Sequence, residues 1–343
     1  MASDYVSAPE LPEGKEDGNM MTSFLGDCEE VISTLPKVKA WGRDDTYYFN
    51  HQGFWYLLMF LKGIIWAQQS FRARDTDIFL ASSPKCGTTW LKALMSAIQV
   101  RNQSQSHHPL LTNNPHDCVP YLELHVHKNN PTAYLESLPS PRLLATHSSY
   151  ASLPDSILKT SGTRIVYIAR NPKDVLVSLW KFSQNVRQQA VSNGQLLSPL
   201  PIEEAFELFC KGESLAGPFW DHVLGYWEAS KEIPDKVLFL KYEDMKKDTE
   251  GCVKRLAEFM RYPFSLEEER QGVVQEVINL CSLENLSNLE VNKSGVSVSL
   301  KVDNSHFFRK GQVGDSSNYL TPDMLQRLEE ITEHKLGSAG LKF

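Results

Sequence analysis

The stretch from Ile78 to Leu94, IFLASSPKCGTTWLKAL, constrains the fold more than any other part of the chain. A β-rich apolar run (Ile78, Phe79, Leu80) meets a turn of small residues, Ser82-Ser83-Pro84-Lys85-Cys86-Gly87-Thr88-Thr89. A helix-period run through Trp90, Leu91, Leu94, Met95 and Ile98 follows at once. The expected order is strand, phosphate loop, helix. Successive backbone N–H groups at a helix N-terminus, a Gly that admits close approach, a Lys and two hydroxyls together make an anion cradle.

Three more apolar runs read as buried strands: Arg142 to His147 (RLLATH), Thr163 to Arg170 (TRIVYIAR) and Lys236 to Tyr242 (KVLFLKY). Asn171-Pro172-Lys173-Asp174 opens a helix that carries Ser178, and helical patterns recur between Ile202 and Leu280. Thr321-Pro322 starts a final helix, with Thr as N-cap, Pro at the first position and Gly337 at its end. Strands alternating with helices imply an α/β fold, a P-loop-like parallel β-sheet flanked by helices on both faces. It is expected as a single domain over residues 35–343, preceded by an acidic tail, 1–34, without fixed structure.

Glu29 to Trp41 reads as a short helix ending at Pro36 and then a loop, and Phe54 to Ser70 as one aromatic helix. That helix serves either as core packing or as a wall of an apolar pocket. Gln103 to Pro120 is expected as a long surface loop, Gln184 to Pro201 as a mobile loop and Asn288 to His306 as a flexible cap. Strand alternation through Glu123-Leu124-His125-Val126-His127 would set a carboxylate and two imidazoles on one face. No fourth ligand is evident, so no metal is expected.

A formal net charge of −7 over 343 residues argues against a nucleic-acid or anionic-membrane partner, which calls for a basic surface. Six scattered cysteines without a CxxC pair suggest reduced thiols and a cytoplasmic protein. The start lacks the pattern of a secretion signal, and the apolar run Phe54 to Ala67 is interrupted by Lys62-Gly63 and too short for a bilayer.

In open α/β sheets ligands bind beyond the carboxyl ends of the strands. The residues just past the four strands, Lys85, His147, Arg170 and Tyr242, should therefore face one crevice. A magnesium-dependent P-loop enzyme requires GxxxxGK[ST] and a strand-end Asp. Here Lys85 precedes Gly87 and no strand ends in Asp, which leaves nucleotide binding without that chemistry. Arg170 and Ser178, across one strand-to-helix turn, could share a phosphate, and Phe308-Arg309-Lys310-Gly311 adds two cations.

PKCGTTWLKAL, ATH, YIARNPKDVLVS, LKYEDM and FFRKGQVGD, in that order, resemble the soluble sulfotransferases. NNPHDCVPYLE, NLCSLENLSNLEVNK and SNYLTPDM are similar to the plant cytosolic branch, and the likeness runs from about Leu35 to the C-terminus. The resemblance implies in-line, metal-free transfer of a sulfuryl group from 3′-phosphoadenosine 5′-phosphosulfate (PAPS) to a hydroxyl of a small apolar or aromatic plant metabolite. Acceptors of that branch include flavonoids, steroids, jasmonates, glucosinolate precursors and strigolactone precursors.

It also implies roles. Lys85, Cys86, Gly87, Thr88 and Thr89 would hold the 5′-phosphosulfate, with Trp90 beside the adenine. Arg170, Ser178, Arg309, Lys310 and Gly311 would take the 3′-phosphate. Tyr242, Cys281 and Leu283 would complete the nucleotide site. His147 would be the base, with Lys85 on the leaving phosphate. Acceptor walls would come from Phe54, Trp55, Tyr56, Phe60, Tyr121 and Tyr150. The sequence departs from the family pattern in four places: Cys86 for Ser or Thr, Ala145 for the Lys of many animal members, Leu283 for an adenine-stacking Phe, and Ser316 for Trp. An alternative is a catalytically weak, sulfotransferase-like protein that binds nucleotide or a metabolite. The dimer motif of animal members is not found, so oligomeric state is not read.

Overall fold

The computed structural model describes residues 28–41, 46–102, 108–124, 131–192 and 199–343. At its centre are four parallel strands, β4 (Ile78–Ser82), β5 (Leu143–Thr146), β6 (Arg164–Ala169) and β7 (Val237–Lys241), in the order β5-β4-β6-β7. Ile78 pairs with both Leu143 and Arg164, and Ile165 with Val237, so all four strands end at one level. Every residue of β4 and β5 is buried. A strand covered on both faces has no solvent side, hence the continuous apolar runs.

A second sheet, not anticipated from sequence, is antiparallel: β1 (Lys37–Lys39), β2 (Tyr47–His51) and β3 (Phe54–Leu57). It corrects the aromatic helix, whose first four residues are β3 and whose helical part is Leu58–Ser70. Gln52 (φ 53) and Gly53 (φ 86) both take the left-handed region, as a tight two-residue hairpin between β2 and β3 demands. Residues 28–33 are helical, with Cys28 and Ile32 buried, and residues 1–27 of the expected tail lie outside the described residues.

Two further expectations change. The helix opened by Asn171 runs from Pro172 to Ser192 and takes in half of the supposed mobile loop. Arg187 and Ala190 turn inward, while Trp180 Nε1 and Gln184 Nε2 donate to the Leu200 carbonyl at 2.8 and 2.6 Å. The supposed surface loop holds helical turns at Pro109–Leu111 and Pro115–Cys118, with Leu110, Asn114, His116 and Val119 buried. The supposed cap likewise contains turns at Glu290–Ser294 and Asn304–Phe307. The final helix, Pro322–Leu336, is capped by Thr321 as expected. Gly337 continues in right-handed conformation, and the left-handed stop is Gly340 (φ 75).

Under the sheet, Arg142 pairs with Asp77 through two contacts of 2.8 and 2.5 Å, both side chains buried. Removing one member of such a pair leaves an uncompensated buried charge. Asp77→Ala should therefore cost about 3–5 kcal/mol, read as a lowered denaturant midpoint.

Candidate active site

β4 delivers the loop expected to hold phosphate. Lys85 (φ 70) and Gly87 (φ 109) bend the chain, and Gly87 caps the helix Thr88–Val100. A Cβ on Gly87 would lie 2.8 Å from Tyr242 Cδ2, so glycine is required for space as well as for φ. Gly87→Ala should cost about 1–3 kcal/mol in a thermal melt.

The loop opens into a cavity of about 1010 Å³. Lys85, Gly87, Thr88, Thr89, Trp90, His147, Arg170, Ser178, Tyr242, Cys281, Leu283, Arg309, Lys310 and Gly311 all line it. The two halves of this set come from distant parts of the chain. Asp174 joins them, accepting from Arg170 at 3.3 Å and from the backbone N–H groups of Gly314 and Ser316 at 2.8 and 3.0 Å. Asp315 in turn pairs with Arg309 and, at 2.7 Å, with Lys310. Trp90 and Tyr242 meet edge to face at 5.7 Å, leaving ring faces for a planar base.

Two features fit an anionic nucleotide here, and a third shapes the cavity wall beside them. Arg170 Nε is buried with no hydrogen-bond partner. Lys85 is held down to about 7, first by burial and then by the charges of Arg309 and Arg170. Finally, a Cβ on Gly311 (φ 60) would meet Leu283 Cδ2 at 2.8 Å, so these two pack directly along one wall.

His147 lies at the end of β5. Its Nδ1 is 2.7 Å from the Ser82 backbone carbonyl, which can only accept, so Nδ1 carries the proton. Nε2 is therefore the lone-pair atom, 2.9 Å from the Tyr121 hydroxyl. The backbone N–H of His147 donates to Glu123 Oε1 at 2.7 Å. Burial, aided by the nearby charges of Lys92, His222 and Lys85, holds the imidazole down to about 3, and it is neutral at pH 7.

Several expected residues sit elsewhere. The Cys86 side chain is buried beneath the loop, Sγ 4.0 Å from the Pro84 carbonyl, and burial raises its thiol. It leaves only its main chain for an anion, and its departure from Ser or Thr removes no cavity-facing hydroxyl. Phe54, Tyr56 and Tyr150 are not on the cavity wall. Phe54 meets the His222 ring edge-on at 6.0 Å, Tyr56 accepts from Ser149 N–H at 3.1 Å, and Tyr150 packs on Tyr226. Trp55 is spent on β3, whereas Phe60 and Tyr121 do line the cavity.

The imagined Glu123 strand is a turn, Leu122–Leu124, and His125 and His127 lie outside the described residues. Instead of facing a metal, Glu123 supports His147, and burial pushes its carboxyl up to about 7. Among the described residues, no cluster of three or more His, Cys, Asp or Glu is arranged to hold a metal. Gly63 permits this support, since a Cβ there would lie 1.7 Å from the Glu123 carbonyl oxygen.

Sequence reading also missed Lys92 and His116. The Lys92 amine is buried, donates to Val119 O at 2.7 Å and lies 3.4 Å from the Tyr121 ring centre. His116 Nε2 is 2.9 Å from Thr89 Oγ1. The NNPHDCVPYLE phrase held a signal for His116, whereas nothing in the residues around Lys92 marks it for burial. The remaining apolar wall includes Trp41, Tyr48, Leu58, Met59, Phe182 and Phe307.

A glycine-bearing loop at a helix N-terminus, converging cations and a neutral imidazole in one cavity suit an α/β enzyme that transfers a group from an anionic nucleotide. Comparison with known proteins narrows the class. Residues 75–340 match the sulfotransferase domain. The chain is 48% identical over 322 residues to flavonol 4′-sulfotransferase of Flaveria chlorifolia, covering 91% of this chain and 95% of that protein. It is 42% identical over 339 residues to cytosolic sulfotransferase 15 of Arabidopsis thaliana, covering 97% and 90%. A mouse sulfotransferase solved with PAP superposes with a TM-score of 0.66 at 27% identity, covering 84% of this chain and 93% of that one. The chain belongs to the sulfotransferase family.

Proposed function

We propose that the protein transfers a sulfuryl group from PAPS to a hydroxyl of a small aromatic or apolar plant metabolite in the cytosol. The observation that carries this reading is that His147 Nε2, fixed as acceptor by Ser82 O, lies in the same cavity as Lys85 and the phosphate loop. PAPS supplies the sulfuryl group and a phosphate leaving group. Arg170, Ser178, Arg309 and Lys310 bind its 3′-phosphate, and Trp90, Tyr242 and Leu283 bracket its adenine. His147 takes the acceptor's proton, and Lys85 with the loop N–H groups stabilises charge on the departing 5′-phosphate.

Acceptors related to flavonols are supported by the named Flaveria relative and by the aromatic wall of Phe60, Tyr121, Phe182 and Phe307. Incubation with PAPS and a panel of hydroxylated plant metabolites, read by the sulfate mass shift, tests the reading. A sulfated flavonoid or other apolar product is expected, and donor left intact across the panel would overturn it.

Nucleotide binding should itself depend on pH. In the free protein Lys85 loses its proton as pH rises through about 7, and a bound anion favours the protonated form. Binding of PAP above pH 7 should therefore take up a proton and weaken by up to about tenfold per pH unit. Calorimetry in two buffers of different ionisation enthalpy reads that proton directly.

A further inference from the structure

The His147 lone pair is already occupied. With Nδ1 committed to Ser82 O, Nε2 has one in-plane lone pair, and the Tyr121 hydroxyl donates to it at 2.9 Å. Tyr121 is held in place on every side. Its side chain is 1% exposed, the Lys92 amine lies 3.4 Å from the ring centre, His116 stacks at 5.7 Å and 20°, and Phe60 meets it edge-on at 6.4 Å. The main chain is tied as well, with Ala145 N–H donating to Pro120 O at 2.8 Å and Tyr121 bridged to Ala145. Swinging this ring aside would break several packed contacts. Yet Tyr121 and His147 both line the cavity, so a hydroxyl that approaches His147 Nε2 comes beside the phenol already bonded to it.

We propose that Tyr121 is a catalytic residue that relays the acceptor's proton to His147. As the acceptor oxygen bonds to sulfur, its proton passes to Tyr121 Oη and the phenolic proton passes to His147 Nε2. The bond from sulfur to the bridging oxygen breaks, and its electron pair leaves with the 5′-phosphate. Tyr121 ends neutral with the acceptor's proton, and His147 ends as imidazolium. Burial holds the phenol well above its usual range, so the two transfers are concerted and no free phenolate forms. This inference rests on the reading of His147 as base.

The test is Tyr121→Phe in the full chain, which keeps the ring and deletes the relay atom. Single-turnover rate constants are measured with PAPS and a free hydroxyl acceptor that the panel shows to be a substrate, in mixtures of light and heavy water. The relay predicts a rate lower by about tenfold or more, with PAP affinity unchanged by calorimetry. It also predicts a bowed proton inventory for the native enzyme, two protons being in motion, and a linear one for the variant. An unchanged or faster rate for Tyr121→Phe overturns the relay, because freeing Nε2 then helps direct attack. A linear inventory in the native enzyme overturns it too, leaving Tyr121 to place the acceptor only. Either result leaves His147 as base intact, whereas an active His147→Ala enzyme removes both readings.

Discussion

Alanine at position 147 should lower kcat by about 10²–10⁴-fold while PAP affinity changes little. The prediction follows from a division of labour within the cavity. His147 meets Ser82 through Nδ1, at the backbone carbonyl and the hydroxyl, and its Nε2 faces Tyr121. Removing the ring deletes the proton acceptor and leaves Lys85, Arg170 and Arg309 in place. The low proton affinity of the buried imidazole means that it is fully neutral at working pH, so no acid limb near pH 6.5 should come from this group. A bound anion beside it favours the imidazolium that proton transfer creates. Steady-state kinetics paired with calorimetry check the split. A loss confined to KM, or weaker PAP binding that accounts for the whole defect, would remove His147 from the proton transfer.

Lys85→Met should be the other large effect, about 10²–10³ in kcat, accompanied by weaker PAP binding. The Lys85 amine lies 4.2 Å from the Phe182 ring centre, among Arg170 and Arg309, and its buried position makes it strongly responsive to a neighbouring anion. In the proposed transfer charge develops on the leaving phosphate as the sulfur bond breaks, so a cation there would favour the transition state over the ground state. The proton uptake described for PAP binding should vanish in the same variant. If Lys85→Met binds PAP with an unchanged proton count, the titrating group is another residue. If its kcat is also native, Lys85 has no part in leaving-group stabilisation.

His147 and Lys85 were both singled out from the sequence, and both line the cavity. Lys85, Arg170, Arg309 and Lys310 could be picked out because strand-end position and loop composition are local properties of the chain. The four parallel strands were equally open, since burial on both faces leaves no polar positions to blur the pattern. The antiparallel sheet was hidden in a short aromatic run that suits helix and strand alike, and the Gln52-Gly53 turn is a weak hairpin signal. Glu123 was misread and Lys92 missed for a different reason. Charged residues are ordinarily solvated, and only a three-dimensional partner, here the His147 amide or the Val119 carbonyl, makes burial tolerable.

Aromatic residues show the same limit from the apolar side. Phe54, Tyr56 and Tyr150 were as plausible for an acceptor wall as Phe60 and Tyr121, because composition does not say which layer a ring occupies. The hydroxyl of Tyr56 ended on the Ser149 amide and that of Tyr121 on the His147 imidazole, through the way the Leu58–Ser70 helix and the Leu122–Leu124 turn close on Gly63.

What the sequence by itself determined was the parallel sheet, the glycine-bearing loop after its first strand and the strand-end cations Lys85 and Arg170, because periodicity, glycine placement and strand ends are encoded within a few neighbouring residues. What only the tertiary structure decided was the state of the groups around His147. Its tautomer depends on a carbonyl of β4, its neutrality on burial, its main-chain anchor on Glu123 and its occupied lone pair on Tyr121. These are contacts between segments far apart in the chain. Their energies depend on distance and dielectric, which exist only once the core has closed.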